Sequence, residues 1–192
     1  MLAPALLLDA YRRGIFPMAV DAHGTLGWFA PDPRAIIPLD DRFHVPHGLR
    51  RRLKKNPFTI TCNRDFPAVM RGCAERKEGT WISPQIFKSY CRLHKLGQAH
   101  SLEVWRENQL VGGLYGIHIG GAFFGESMFH RATDASKVAL VALVERLRER
   151  GFVLLDTQWQ TPHLRQFGTC EIPRTEYLEI LKRAIAFDCQ FP

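Results

Sequence analysis

HSLEVWRENQLVGGLYGIHIGGAFFGESMFHRATDASK, His100–Lys137, holds three apolar stretches separated by two short breaks. The stretches are His100–Arg106, Gln109–Ile119 and Ala122–His130; Glu107–Asn108 and Gly120–Gly121 stand between them. Two-residue breaks of this composition join antiparallel neighbours, so the stretch predicts a three-stranded meander. Asp134 or Thr133 then caps a helix in which Leu140, Leu143, Val144 and Leu147 recur at helical spacing, and Gly151 stops it. Val138–Val144 is apolar nearly all round, which predicts a buried helix. Phe152–Gln158 reads as a strand, Pro162–Phe167 as a short helix, Cys170–Pro173 as a short strand and Thr175–Ala186 as a terminal helix. Strands in a run followed by strand–helix alternation predict an α+β fold with a mixed sheet.

Working back from this core, Ser83–Pro84 starts a helix that runs to Leu96, with the hydroxyl as N-cap and proline at the first helical position. Phe66–Ala74 and the basic His47–Lys55 also read as helices, and Phe58–Cys62 as a strand. Glu75–Gly79 reads as a charged turn. Leu2–Arg13 is helical and closed by Gly14, and Ile15–Arg34, rich in Pro, Gly and Asp, is expected to be a long ordered loop. The expected organisation is a small N-terminal lobe over residues 1–62 and a larger domain over 63–192.

The chain has 192 residues, 46% of them hydrophobic, enough for a core and against disorder. Twenty-six Lys and Arg against 19 Asp and Glu leave a net charge of +7, which suits an anionic partner as well as an ordinary basic surface. Five cysteines without a CxxC pair fit reduced thiols in a cytoplasmic protein better than a disulfide or zinc framework. No apolar run approaches a membrane span, and the apolar start is followed at once by Asp9, Arg12 and Arg13.

Strand alternation nominates a site. Phe124, Glu126 and Met128 fall on one face of their strand, which places a carboxylate between apolar neighbours. Phe152, Leu154, Asp156 and Gln158 fall on one face of theirs. A carboxylate accepting from the Gln amide would orient the Gln carbonyl as an acceptor for an amine; capping of a nearby helix is the competing role for this pair. An ion pair with Arg131 or Lys137 competes for Glu126. Ser136 and Lys137 occupy the first turn of the buried helix, where free N–H groups favour anions; a solvated lysine is equally compatible. Arg50, Arg51, Arg52, Lys54 and Lys55 form the densest basic run and could follow a phosphate backbone. Trp28, Phe29 and Trp81 could stack on an unpaired base, although aromatics more often pack in a core. No metal-ligand spacing, Walker loop or dinucleotide fingerprint is present. Gly112, Gly113 and Gly116 lie in a strand and suggest close packing or a bulge.

Ordered stretches through almost the whole chain resemble the bacterial leucyl/phenylalanyl-tRNA–protein transferases. They are AYRRGIFPM (Ala10–Met18), PDPRAI (Pro31–Ile36), GTWIS (Gly79–Ser83), HSLEVW (His100–Trp105), LVGGLYG (Leu110–Gly116), FFGESMF (Phe123–Phe129), DASK (Asp134–Lys137), LLDTQ (Leu154–Gln158), FG (Phe167–Gly168) and EIPR (Glu171–Arg174). The resemblance implies transfer of Leu or Phe, with Met a further donor, from aminoacyl-tRNA to an N-terminal Arg or Lys, creating a degradation signal. It implies a larger domain similar to the GCN5-related acetyltransferase fold, and an N-terminal lobe shorter than in many members. It implies that Asp156 and Gln158 orient the acceptor amine, and that Glu126 and Phe123 belong to a Leu/Phe pocket completed by Phe124 and Met128. It implies Trp81 near the terminal adenosine, with Met18 beside it and Trp28 to compensate for the missing aromatic, and a tRNA-facing cluster of Arg50, Arg51, Arg52, Lys54 and Lys55; Ser136 as a substrate contact and Lys137 as a tRNA contact are expected from their place in the first helical turn alone. Many members carry Trp where this chain has Met18. A monomeric cytoplasmic enzyme without metal or cofactor is expected. An acetyl-coenzyme-A-dependent N-acyltransferase is the alternative, but no glycine precedes the buried helix to hold a pyrophosphate. A non-catalytic tRNA-binding protein is the other; it would leave Glu126, Asp156 and Gln158 idle.

Overall fold

The structure, a computed structural model, describes residues 1–55, 58–76 and 79–192. The charged turn expected over Glu75–Gly79 therefore falls partly outside the described residues. Seven strands form the main sheet in the order β4-β5-β6-β7-β8-β3-β9. They are β3 (Arg34–Ile37), β4 (Thr59–Cys62), β5 (Ala99–Arg106), β6 (Gln109–Ile119), β7 (Ala122–His130), β8 (Leu154–Gln158) and β9 (Cys170–Ile172). The meander β5–β6–β7 is antiparallel as expected, and β7 and β8 are parallel, so the sheet is mixed and the fold α+β. β3 and β4 come from the stretch expected to form the N-terminal lobe, yet both are strands of this sheet.

Helices cover both faces. On one lie α1 (Pro4–Arg12), α3 (Phe66–Ala74), α4 (Pro84–Lys95) and α7 (Arg174–Ala184), whose Tyr11, Met70, Tyr90 and Leu181 pack on Tyr115, Ile117 and Phe124 of the sheet. On the other lie α2 (His47–Lys55), α5 (Ala135–Glu149) and α6 (Pro162–Arg165). The α5 positions Leu140, Leu143, Val144 and Leu147 are all buried, as the helical spacing predicts. Ser83 caps α4 by accepting from the Ile86 N–H, with Pro84 at the start. Asp134 holds the N-cap position of α5, but its side chain caps nothing; it pairs instead with Arg52 and Lys137.

Two local differences from the sequence reading bear on the site. Ile15–Arg34 is not one long loop: β1 (Phe16–Ala19) and β2 (Leu26–Phe29) form an antiparallel hairpin, because their aromatic and apolar residues outweigh the Pro and Gly between and within them. In β7 the register passes from Gly116↔Gly125 to Tyr115↔Ser127, leaving Glu126 without a partner. This β-bulge shifts the alternation by one residue. Phe124 and Phe129 consequently share the α1/α4 face, while Met128 turns with Phe123 to the α5 face. A Cβ at Gly116 would fall on the Phe124 carbonyl oxygen and the Phe123 ring, so the bulge needs glycine there. Among the described residues, no helix is long and apolar enough to cross a membrane.

Candidate active site

Beyond the rung Phe124↔Asp156, the last in their parallel ladder, β7 and β8 part. A cavity of about 500 Å³ opens there, lined by Gly125–Met128 from β7 and by Leu155 and Thr157–Trp159 from the β8 end. Its α5 side is mostly apolar, built from Leu114, Met128, Leu140, Leu143, Leu155 and Leu164, with Ser136 at the start of α5. Its other side carries Glu126, Gln158, Ser127 and Tyr115, and Phe16, Met18, Trp81 and Arg76 also border it. A mostly apolar cavity with a few convergent polar groups is what a binding site requires.

The bulge places Glu126 against two tyrosines. Oε1 accepts from Tyr11 O–H at 2.7 Å, Oε2 lies 3.3 Å from the Tyr90 hydroxyl, and the Tyr11 and Tyr90 hydroxyls bond each other. Burial pushes the Glu126 carboxyl up to about 8; hydrogen bonding from Tyr11 opposes the rise and the charge of Asp156 adds to it. At neutral pH this acid is therefore mostly protonated. The Gln158 side-chain N–H donates to Glu126 Oε1 over a long 3.4 Å, which leaves the amide oxygen as the acceptor offered to the cavity.

Asp156 does not hold the Gln158 side chain, contrary to the expectation from alternation. Its Oδ1 accepts the Gln158 backbone N–H at 2.9 Å, because Gln158 turns at the end of β8 with φ +60° and swings its side chain toward β7. The carboxylate is fully buried and forked by Arg34, at 2.9 Å from Nε and 2.6 Å from Nη2. Neither Asp156 nor Arg34 borders the cavity. Phe152 precedes β8 and packs on the α5 side, away from Leu154 and Asp156.

Other expected residues divide. Met18, Trp81, Met128 and Ser136 border the cavity. Phe123 and Phe124 do not: both are fully buried, Phe123 stacked on Phe191 and Phe124 tilted on Tyr11, each at 5.0 Å between centroids. Trp28 is largely exposed on β2 and lies off the cavity. Arg50, Arg51, Lys54 and Lys55 are exposed on α2, while Arg52 and Lys137 converge on Asp134 at 3.0 and 3.1 Å.

Several residues escaped the sequence reading. Tyr11 and Tyr90 lie far from Glu126 in sequence and carry no local signal. Trp159, adjacent to Gln158, packs edge-on against Phe16 at 5.2 Å and closes an aromatic corner with Phe29. Arg76 bonds Ser127 Oγ at 2.8 Å at the cavity's edge. Arg34 could have been found: a cation in a short apolar strand needs a buried anion. Among the described residues, the buried side-chain polar atoms without a partner are Tyr115 Oη and His163 Nε2, and both residues border this cavity. Such atoms call for a polar ligand or water.

The family model described as Leucyl/phenylalanyl-tRNA protein transferase matches residues 36–182, and its N-terminal domain model matches residues 1–32. A leucyl/phenylalanyl-tRNA–protein transferase of Akkermansia muciniphila is 56% identical over 96% of this chain and 96% of its own. One of Herpetosiphon aurantiacus is 53% identical over 99% and 98%. Among solved structures, FemX shares the fold at a TM-score of 0.53 and 11% identity, over 92% of this chain and 70% of that one.

Proposed function

We propose that this chain, which belongs to the leucyl/phenylalanyl-tRNA–protein transferase family, transfers Leu or Phe from aminoacyl-tRNA to the N-terminal Arg or Lys of an acceptor protein. The acceptor α-amine attacks the ester carbonyl carbon of the donor. The bond from that carbon to the ribose oxygen breaks, the amine gives up a proton, and the ribose hydroxyl of the tRNA is restored. An N-terminal amine has a pKa of about 7.7–8.0, so a usable fraction is neutral at pH 7. The ester is already activated, and holding the two substrates in register supplies most of the rate.

The observation that carries this reading is one cavity with an apolar half and an oriented amide at its edge. Leu114, Met128, Leu140 and Leu143 suit the branched or aromatic donor side chain. Gln158 Oε1 accepts from the attacking amine and Glu126 holds the amide. Trp81 and Met18 pack against the terminal adenosine, and exposed Arg50, Arg51, Lys54 and Lys55 on α2 meet the tRNA backbone. The enzyme acts as a cytoplasmic monomer and the product carries a degradation signal.

The test is transfer of labelled Leu from verified Leu-tRNA to a peptide beginning with Arg. Transfer by the purified protein is the expected result, and its absence refutes the function. Gln158→Ala is expected to lower kcat by about 100-fold, in the range for removal of an oriented catalytic hydrogen bond. Full activity in that variant refutes the role of Gln158 and leaves the function standing.

A further inference from the structure

Every acceptor site of Asp156 is in use. Oδ1 takes Arg34 Nε at 2.9 Å and the Gln158 backbone N–H at 2.9 Å; Oδ2 takes Arg34 Nη2 at 2.6 Å and Tyr177 O–H at 2.7 Å. A carboxylate offers about four lone-pair sites, so an incoming amine finds none. The carboxylate is also shut off, fully buried and absent from the cavity wall.

Arg34 is fixed as firmly as its partner. It is 1% exposed, its Nη1 donates to the Gly14 carbonyl at 3.0 Å, and its guanidinium lies over the rings of Phe16 at 5.0 Å and Tyr177 at 4.7 Å. One guanidinium thus joins the α1–β1 corner, β3 and the end of β8, and Tyr177 adds α7. The group held by all this is the Gln158 N–H. Gln158 has φ +60°, a conformation side chains rarely adopt, and such positions persist only where the surroundings over-determine them. A charged acceptor on that N–H is about twice as strong as a neutral one.

We propose that Arg34 and Tyr177 are positioning residues for the transfer step, and that Asp156 acts only through the backbone of Gln158, aiming its side chain into the cavity. This rests on the transfer function above and assigns Asp156 no proton and no substrate contact.

The experiment is a double-mutant cycle. Transfer is measured for wild type, Arg34→Met, Asp156→Asn and the double variant, and separately for Tyr177→Phe, with kcat and KM resolved for both substrates. Losing either partner frees the Gln158 N–H from its fixed acceptor, so each single variant at Arg34 or Asp156 is expected to lower kcat by up to about 100-fold, the loss expected for Gln158→Ala. KM for aminoacyl-tRNA should stay within about 3-fold, because the apolar half of the cavity, from Leu114, Met128, Leu140 and Leu143, is untouched. The double variant should be no worse than the poorer single, since both act through one contact. Losses that multiply overturn the proposal, because Asp156 would then contribute independently of Arg34. Tyr177→Phe keeps the ring and the ion pair and should lower kcat by about 10-fold, the loss of one hydrogen bond to a charge; an unchanged kcat overturns its role. Should Arg34→Met fail to fold, Arg34→Lys replaces it in the cycle, with one bond where the fork made two and the same non-multiplying result required. If wild type transfers nothing, the function fails instead. Hydrogen exchange at the Gln158 amide then reads the proposal alone: Tyr177→Phe should speed it at least about 5-fold, and unchanged exchange overturns the clamp.

Discussion

Replacing Glu126 with Gln should change how folding stability depends on pH. The carboxyl sits among Tyr11, Tyr90 and Gln158, and burial lifts it from its ordinary value of 4.5 to about 8. The sign follows from linkage. A carboxyl raised in the folded state gives its full stabilising contribution below the unfolded value, and loses it as pH rises through the folded value. The window is therefore pH 4.5 to about 8. Each pH unit is worth about 1.36 kcal/mol, so the loss across the window is on the order of 5 kcal/mol. Water entering the cavity and movement of the side chain reduce that, and at least about 2 kcal/mol should survive. Gln keeps the size and the hydrogen-bonding capacity but does not titrate. Urea unfolding of both proteins at pH 5, 7 and 9 isolates the effect, because every other titrating group cancels in the difference. Wild type should lose stability relative to Glu126→Gln as pH rises, with most of the change between pH 4.5 and about 8. A difference constant within about 0.5 kcal/mol from pH 5 to pH 9, the usual scatter of additive effects, would mean that Glu126 is charged in the folded protein and that its neutral role beside Gln158 is wrong.

The apolar half of the cavity predicts donor choice. Leu143→Phe fills part of it, so kcat/KM for Leu-tRNA relative to Phe-tRNA should rise about 10-fold, within the range for small changes in an apolar pocket. An unchanged ratio would place the donor side chain elsewhere. The bulge predicts a stability effect. Gly116→Ala drives a methyl group onto the Phe124 carbonyl and the Phe123 ring, and urea unfolding should show a loss of about 3 kcal/mol. A loss under about 0.5 kcal/mol would show that the β6–β7 register is not constrained as described.

What could be read in advance was local. The meander from His100 to His130, the buried α5 and the Ser83–Pro84 cap all depend on neighbours a few residues apart, and the structure contains each of them. Glu126, Asp156 and Gln158 stood out because polar groups in apolar strands are costly without partners. Their partners were not readable. Tyr11 and Tyr90 reach Glu126 across 115 and 36 residues, and Arg34 reaches Asp156 across 122. The Ile15–Arg34 stretch hid a hairpin because its strands are only four residues each and contain Pro17 and Gly27.

Period-two alternation carried the assignment of faces only as far as the strands stayed regular. One unpaired residue at Glu126 moved Met128 to the opposite face, and a left-handed turn at Gln158 redirected its side chain from Asp156 to Glu126. The sequence by itself determined the strand and helix pattern apart from β1, β2 and β3, and the three polar residues at the site, since propensity, spacing and turn chemistry are short-range. Tertiary structure alone decided which of those residues face the cavity and which is locked behind it. That outcome depends on a bulge, a turn and a buried guanidinium whose partners meet only when the chain is folded.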